Sequence, residues 1–107
     1  MNIKSATRAL GALAQPRRLH LFRYLVAAGS AGATPKELLG ASKVANATLS
    51  FHLKELMDAK LIIQERQGRH RIYRACFDEI SALLAYLAED CCRGQSCEVN
   101  LKLKVEK

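Results

Sequence analysis

Apolar residues recur at three- and four-residue intervals over most of the chain, give way to β-rich runs between Leu61 and Ala75, and return to helical spacing after Asp78. These observations predict a mainly α fold carrying one β-hairpin. The 107 residues suit one core, hence a single domain over 1–107, with 93–107 as a C-terminal tail. Half the residues are hydrophobic and a quarter charged, the composition of a folded chain rather than a disordered one.

The elements follow in order. Ile3, Ala6, Leu10, Leu13 and Ala14 share one face of a first helix. Gln15 interrupts it, and Pro16, well tolerated at a first helical position, opens a second helix predicted to bury Leu19, Phe22, Leu25 and Val26 before Gly29–Gly32 ends it. Thr34, Pro35 and Glu37 have the spacing of a capping box, so a short third helix is predicted to run to about Leu39 and stop at Gly40. A fourth helix is predicted from Asn46 to Ala59, burying Leu49, Leu53, Leu56 and Met57 and leaving Ser50, Lys54 and Asp58 outward. Two helices across the short turn 40–45 make a helix-turn-helix candidate.

Leu61–Glu65 and Arg71–Ala75 then read as strands around a turn at Gln67-Gly68-Arg69. Asp78 or a neighbour is expected to cap a last helix whose stripe of Ile80, Leu83, Leu84, Leu87 and Cys91 lasts about four turns, with Gly94 as its terminator. The tail alternates Val99, Leu101, Leu103 and Val105 with polar residues, a pattern compatible with a strand or with disorder. Helix, helix, helix-turn-helix, hairpin, helix is the order of a winged helix-turn-helix.

Charge points the same way. Lys and Arg number 17 against 10 Asp and Glu, a formal +7, which favours a polyanionic partner without choosing between nucleic acid and anionic lipid. No apolar run approaches the roughly 20 residues that span a bilayer, and the first eight residues lack a signal peptide's apolar stretch. The expectation is a cytoplasmic protein with reduced thiols.

Ala12-Leu13-Ala14-Gln15-Pro16-Arg17-Arg18-Leu19 and Thr48-Leu49-Ser50-Phe51-His52-Leu53-Lys54-Glu55-Leu56 resemble the second-helix entry and the recognition helix of the ArsR/SmtB family of repressors. The resemblance extends over nearly the whole chain. Lys60 departs from it, standing where the family usually has glycine.

The resemblance implies that the fourth helix lies in the major groove of operator DNA. A reading helix needs short polar side chains near its N-terminal end, and Asn46, Thr48, Ser50 and His52, followed by Lys54, supply them. The bland alternatives are that Asn46 only caps the helix, that Ser50 is merely solvated and that His52 is half-buried. Arg66, Arg69 and Arg71, with His70, ring the hairpin glycine and suit a phosphate or minor-groove contact, Arg69 at the tip. A solvated charged turn is the competing reading. A single such helix buries little surface, so specific binding implies a homodimer reading half-sites about 34 Å apart. The stripes of the first and last helices exceed what a small core can cover and are the expected dimer surface, the pairing the resemblance also implies.

Cys91, Cys92 and Cys97 fall within seven positions, whereas Cys76 stands apart and is read as structural, with a fourth-ligand role as its alternative. Cys91 continues an apolar stripe, but Cys92 lies about 100° around the helix, and Gly94 lets the chain turn so that Cys97 can fold back. Thiolates select soft ions, and all three histidines precede the last helix. Three thiols without imidazole fit trivalent arsenic or antimony, and two of them would serve an organoarsenical. Cadmium or lead, thiol redox sensing and no sensing role remain open. Arsenic-responsive members of the family commonly carry a cysteine pair on the helix before the turn, where Lys36-Glu37-Leu38-Leu39-Gly40 has none. The chain is instead similar to the subtype with an adjacent cysteine pair and a third cysteine in the tail.

The expectation is therefore derepression: an apo dimer that holds its operator, and release when the inducer draws the Cys97 tail to Cys91 and Cys92. No catalytic cofactor is expected. An enzyme is disfavoured, because Gly29-Ser30-Ala31-Gly32 lacks the Gly-Lys-Ser/Thr of a phosphate-binding loop.

Overall fold

The computed structural model describes residues 1–42 and 45–89. Its elements are α1 (Ile3–Leu13), α2 (Pro16–Ala28), a 3-10 turn (Gly29–Ala31), α3 (Pro35–Ser42), α4 (Asn46–Asp58), the antiparallel strands β1 (Ile62–Gln67) and β2 (His70–Ala75), and α5 (Phe77–Ala88). This is a winged helix-turn-helix. No helix among the described residues is long and apolar enough to cross a membrane.

Local chemistry sets the helix starts. The Asn2 side chain accepts from the Ser5 N–H at 2.8 Å, and the Ser5 hydroxyl accepts from the Asn2 N–H at 3.1 Å. Pro16 occupies the first position of α2, where its missing N–H costs nothing, and the Gln15 side chain accepts from the Arg18 N–H at 2.9 Å. The Thr34–Glu37 box is formed in both directions: the Thr34 N–H donates to the Glu37 carboxylate at 2.9 Å and the Glu37 N–H to the Thr34 hydroxyl at 3.2 Å. Those bonds to Thr34, backbone first, hold the Glu37 carboxyl below its ordinary pKa.

The core gathers one face of each helix with the base of the hairpin. Leu21, Leu25, Leu38, Leu49, Leu56, Leu61 and Ile62 are fully buried, each contributing about 1.5–3 kcal/mol by leaving water. Several expectations need correction. In α2 the buried set is Leu21, Phe22 and Leu25, while Leu19 and Val26 are exposed, because the helix turns its flank rather than the predicted stripe inward. In α1 only alanines are buried, Ala6, Ala9 and Ala12; Ile3 and Leu10 point outward at 69% and 42% exposure. Helix α3 runs through Gly40 to Ser42, since an interior glycine only weakens a helix by about 1 kcal/mol and nothing there demands a left-handed residue. Among the described residues no side chain caps α5, whose N-cap is Cys76 rather than Asp78. It runs to Ala88, with Glu89 as C-cap, while Cys91 and Gly94 of the predicted last turn lie outside the described residues.

The end of α4 is set by an unusual residue. The Leu61 N–H donates to the Leu56 carbonyl at 3.0 Å and the Lys60 N–H to the Met57 carbonyl at 2.9 Å, the paired bonds of a Schellman cap with Leu61 as its buried apolar partner. Lys60 takes the left-handed position, φ 63, the only non-glycine among the described residues with positive φ. Such a conformation costs an L-residue about 1 kcal/mol or more. Lys60→Gly is therefore expected to raise stability by about 0.5–1 kcal/mol, read as a higher urea midpoint with unchanged slope; an unchanged or lower midpoint contradicts this account of the cap.

Ala33 pairs with Tyr73 as an isolated antiparallel bridge, Ala33 N–H to Tyr73 carbonyl at 2.9 Å and Tyr73 N–H to Ala33 carbonyl at 2.8 Å. The hairpin thus gains a third, one-residue edge from the α2–α3 connection. Arg74 reinforces the junction: its Nε donates to the Ser30 carbonyl at 2.7 Å and its guanidinium pairs with Glu65.

Candidate nucleic-acid interface

Helix α4 buries Leu49, His52, Leu53 and Leu56 and turns the rest of its first turns to solvent. Asn46, Thr48 and Ser50 are all exposed near its N-terminal end. The N-cap is Ala45, and no side chain among the described residues caps the helix, so Asn46 stands inside the first turn rather than serving as cap. Backbone N–H groups at such an end, with the positive end of the helix dipole, favour an anion. Lys54 is also exposed and donates to Asp58 at 3.0 Å, while Arg8 reaches the same carboxylate at 3.6 Å. Exposed pairs of this kind are worth a few tenths of a kcal/mol, so Lys54 can be drawn away by a phosphate.

His52 does not belong with the outward set. It is 5% exposed, with its Nδ1 3.4 Å from Nη1 of Arg18, and Arg18 itself is anchored by Nε donating to the Ala12 carbonyl at 2.7 Å. The reason is angular: position 52 falls on the stripe of Leu49, Leu53 and Leu56, so its ring joins the core and cannot reach a base edge. Burial first, then the positive charges of Arg18 and Arg17, hold the His52 pKa below 6.5, against a smaller opposing effect of Glu55. A histidine held neutral by folding takes up its proton more readily when unfolded. Its stabilising contribution is thus complete above pH about 6.5 and is lost as pH falls from there towards the folded pKa. Urea unfolding between pH 7.5 and 5 is expected to show stability declining on acidification, with His52→Gln flattening the decline; parallel profiles for the two proteins would contradict it.

The same interaction places Arg18 beside α4, with the Arg17 charge close enough to act on His52, a contribution that helical periodicity could not announce because both residues belong to α2. Phe51 is the other residue missed. It is 55% exposed in the middle of α4, its ring centroid 5.7 Å from that of His52 at a tilt of 57°.

In the hairpin, the register sets Arg66 directly opposite Arg71, and Gln67 opposite His70. Gly68 at φ 63 and Arg69 form the two-residue turn, with positive φ only at the first central position, as a type II′ connection requires. Arg66, Arg69 and Arg71 are all exposed. Like charges directly across a strand pair destabilise it, so the two guanidiniums form a place where a phosphate relieves repulsion. Sequence proximity suggested a basic loop; the strand register makes it a facing pair.

Cys91, Cys92 and Cys97, with Gly94 and the tail from 93 to 107, lie outside the described residues. Cys76 is half-buried and free. Among the described residues, no group of three His, Cys, Asp or Glu side chains comes together as a metal site.

Residues 13–65 match the family described as a helix-turn-helix domain. An uncharacterised helix-turn-helix-type transcriptional regulator of Bacillus subtilis is 39% identical over 51 residues, which cover 48% of this chain and 23% of that relative. The chain therefore matches about a quarter of that relative's length. Among solved structures, one described as a possible transcriptional regulator for arsenical resistance is 28% identical, with a TM-score of 0.63 over 74% of this chain and 79% of the other. Another, a homodimeric winged helix-turn-helix DNA-binding domain from Mycobacterium bovis described as a possible ArsR-family regulator, is 22% identical, with a TM-score of 0.66 over 89% and 88% of the two chains.

Proposed function

We propose that this winged helix-turn-helix protein is an ArsR-type repressor that holds operator DNA as a homodimer and releases it when trivalent arsenic, antimony or an organoarsenical binds Cys91, Cys92 and Cys97. The observation that carries the DNA reading is the joining of two cationic readers within one fold. Helix α4 presents Asn46, Thr48, Ser50 and Lys54 to solvent, and three residues later begins a hairpin rimmed by Arg66, Arg69 and Arg71. The helix supplies the base-edge contacts and the hairpin the backbone contacts.

Pairing through α1 and α5 is supported by what one chain leaves uncovered. Ile3 and Leu10 on α1, and Phe77 and Leu87 on α5, are 42–69% exposed, although the two helices pack on each other. Two copies meeting there would bury this surface and set two reading helices a fixed distance apart.

The inducer reading rests on the donor set. Three thiols can each replace one hydroxyl of arsenous acid, releasing one water per bond and leaving arsenic three-coordinate. The likeness to a structure described as a possible transcriptional regulator for arsenical resistance supports the same choice. Cadmium, lead or thiol oxidation remains the second reading, since soft ions and oxidants act on the same sulfurs.

The test uses a duplex enriched from a random library by the full chain, followed by fluorescence anisotropy while arsenite, methylarsenite, antimonite, cadmium or zinc is titrated in. Arsenite is expected to weaken binding about 10- to 100-fold, and DNA to weaken arsenite binding by the same factor. Cys92→Ser and Cys97→Ser should keep DNA affinity and ignore arsenite. Release by cadmium alone would favour the second reading, and arsenite sensitivity in both variants would remove the cysteine site.

A further inference from the structure

An apolar ring at the middle of a reading helix calls for an occupant. Phe51 is more than half exposed, and nothing among the described residues explains that: Leu49, Leu53 and Leu56 already fill the inward stripe, and aromatic residues are no better than average helix formers. At 100° per residue, Ala47, Phe51, Lys54 and Asp58 lie along the line opposite that stripe, with Ser50 at its edge. Phe51 and Ala47 are thus the apolar part of a face otherwise polar and charged, on which Lys54 pairs with Asp58 at 3.0 Å, with Arg17 and Arg18 near the adjoining His52.

We infer that Phe51, with Ala47, reads the 5-methyl groups of thymines in the major groove and is a specificity-determining residue of the reading helix. This rests on the DNA-binding function proposed above. Phenylalanine and alanine can both make apolar contact with the thymine methyl, the one apolar feature of the major-groove edge. The surroundings argue for DNA over a protein partner. An apolar protein surface would leave Ser50 facing nothing and Lys54 only its exposed Asp58 partner, whereas a duplex offers each a phosphate or base edge around the methyl. The ring is also held in advance. Arg18 fixes His52 at 3.4 Å, and the His52 ring backs that of Phe51. His52 therefore acts here as a positioning residue, behind a contact it does not make.

The experiment compares duplexes enriched from one random-sequence library by the full wild-type chain and by Phe51→Ala. Thymidines of the wild-type duplex are then replaced singly by deoxyuridine, which removes only the methyl. One or two replacements should weaken wild-type binding about three- to tenfold. Phe51→Ala should lose a similar factor on the unmodified duplex, be indifferent to those same replacements and enrich sequences without that thymine. Phe51→Leu should retain part of the sensitivity. The exposed position means that the thermal midpoint of Phe51→Ala should stay within a degree or two of wild type. If wild type enriches a sequence but is indifferent to every deoxyuridine, or if Phe51→Ala is as sensitive as wild type, the assignment to Phe51 fails while DNA binding stands. If Phe51→Ala changes the oligomeric state in sedimentation and leaves DNA binding untouched, the ring belongs to a protein interface and the assignment is overturned. If wild type enriches no sequence at all, the DNA reading and this inference fall together.

Discussion

Gly32→Ala is expected to cost the domain at least about 3 kcal/mol, lowering its thermal midpoint by about 15 °C, the largest effect of an added Cβ at any described glycine. Gly32 sits at φ 66, ψ −161, a region essentially closed to L-residues. A Cβ there would stand 2.5 Å from the Tyr73 carbonyl oxygen, 2.7 Å from Cγ2 of Ile72 and 2.9 Å from Cγ of Arg74. The first of these is backbone, held by the Ala33 N–H at 2.9 Å. The chain can relieve the clash only by parting Ala33 from Tyr73, which gives up two backbone hydrogen bonds worth about 0.5–1.5 kcal/mol each and loosens the hairpin base. Gly40→Ala is the matched control. That glycine lies inside α3 with nothing within 4 Å of an added Cβ, so the same change should stabilise by about 0.5–1 kcal/mol. Equal midpoints for the two variants in thermal denaturation would refute the close approach at residue 32.

The second large effect concerns affinity. Arg66→Ala with Arg71→Ala removes two guanidiniums that face one another across the hairpin. Because like charges opposite each other repel, the double variant should be as stable as wild type or slightly more so. Its DNA affinity should nevertheless fall about 10- to 100-fold near 0.15 M salt, and the slope of log K against log salt should flatten by about 2, close to 0.9 per lost phosphate contact. Arg69→Ala alone should flatten it by about 1. Stability and affinity moving in opposite directions is the signature of a site shaped for an anion. An unchanged salt slope would take the hairpin out of the interface.

Much of this fold was legible in the residues, for reasons that differ by element. The start of α2 at Pro16 and the Thr34–Glu37 box are local chemistry, complete within four residues, and the structure forms both. The hairpin followed from strand-forming residues around a glycine with positive φ. What periodicity could not decide was which apolar residues stay outside. Leu19, Val26, Ile3 and Leu10 have helical spacing, yet burial in one chain goes to Leu21 and to the alanines of α1, where small side chains let the helices approach. At His52 polar type left two readings open for a similar reason: its chemistry suits DNA, but its position belongs to the core. Conversely Phe51, whose chemistry suits the core, stands outside. The Arg66–Arg71 pairing depended on register, and the Arg18 contact with His52 joins residues 34 positions apart. Neither can be read from neighbours in sequence.

Only Ala59, Lys60 and Leu61 lie between α4 and β1, and all three are committed: Lys60 and Leu61 by the paired bonds of the helix end, Ala59 by its N–H donating to the Glu55 carbonyl at 3.2 Å, and Ala59 and Leu61 also by burial. No slack is left at that joint for the helix to swivel against the hairpin. Among the described residues, a push on α4 is therefore carried straight into the hairpin, and whatever displaces the helix carries the arginine-rimmed turn with it, like the two arms of one lever.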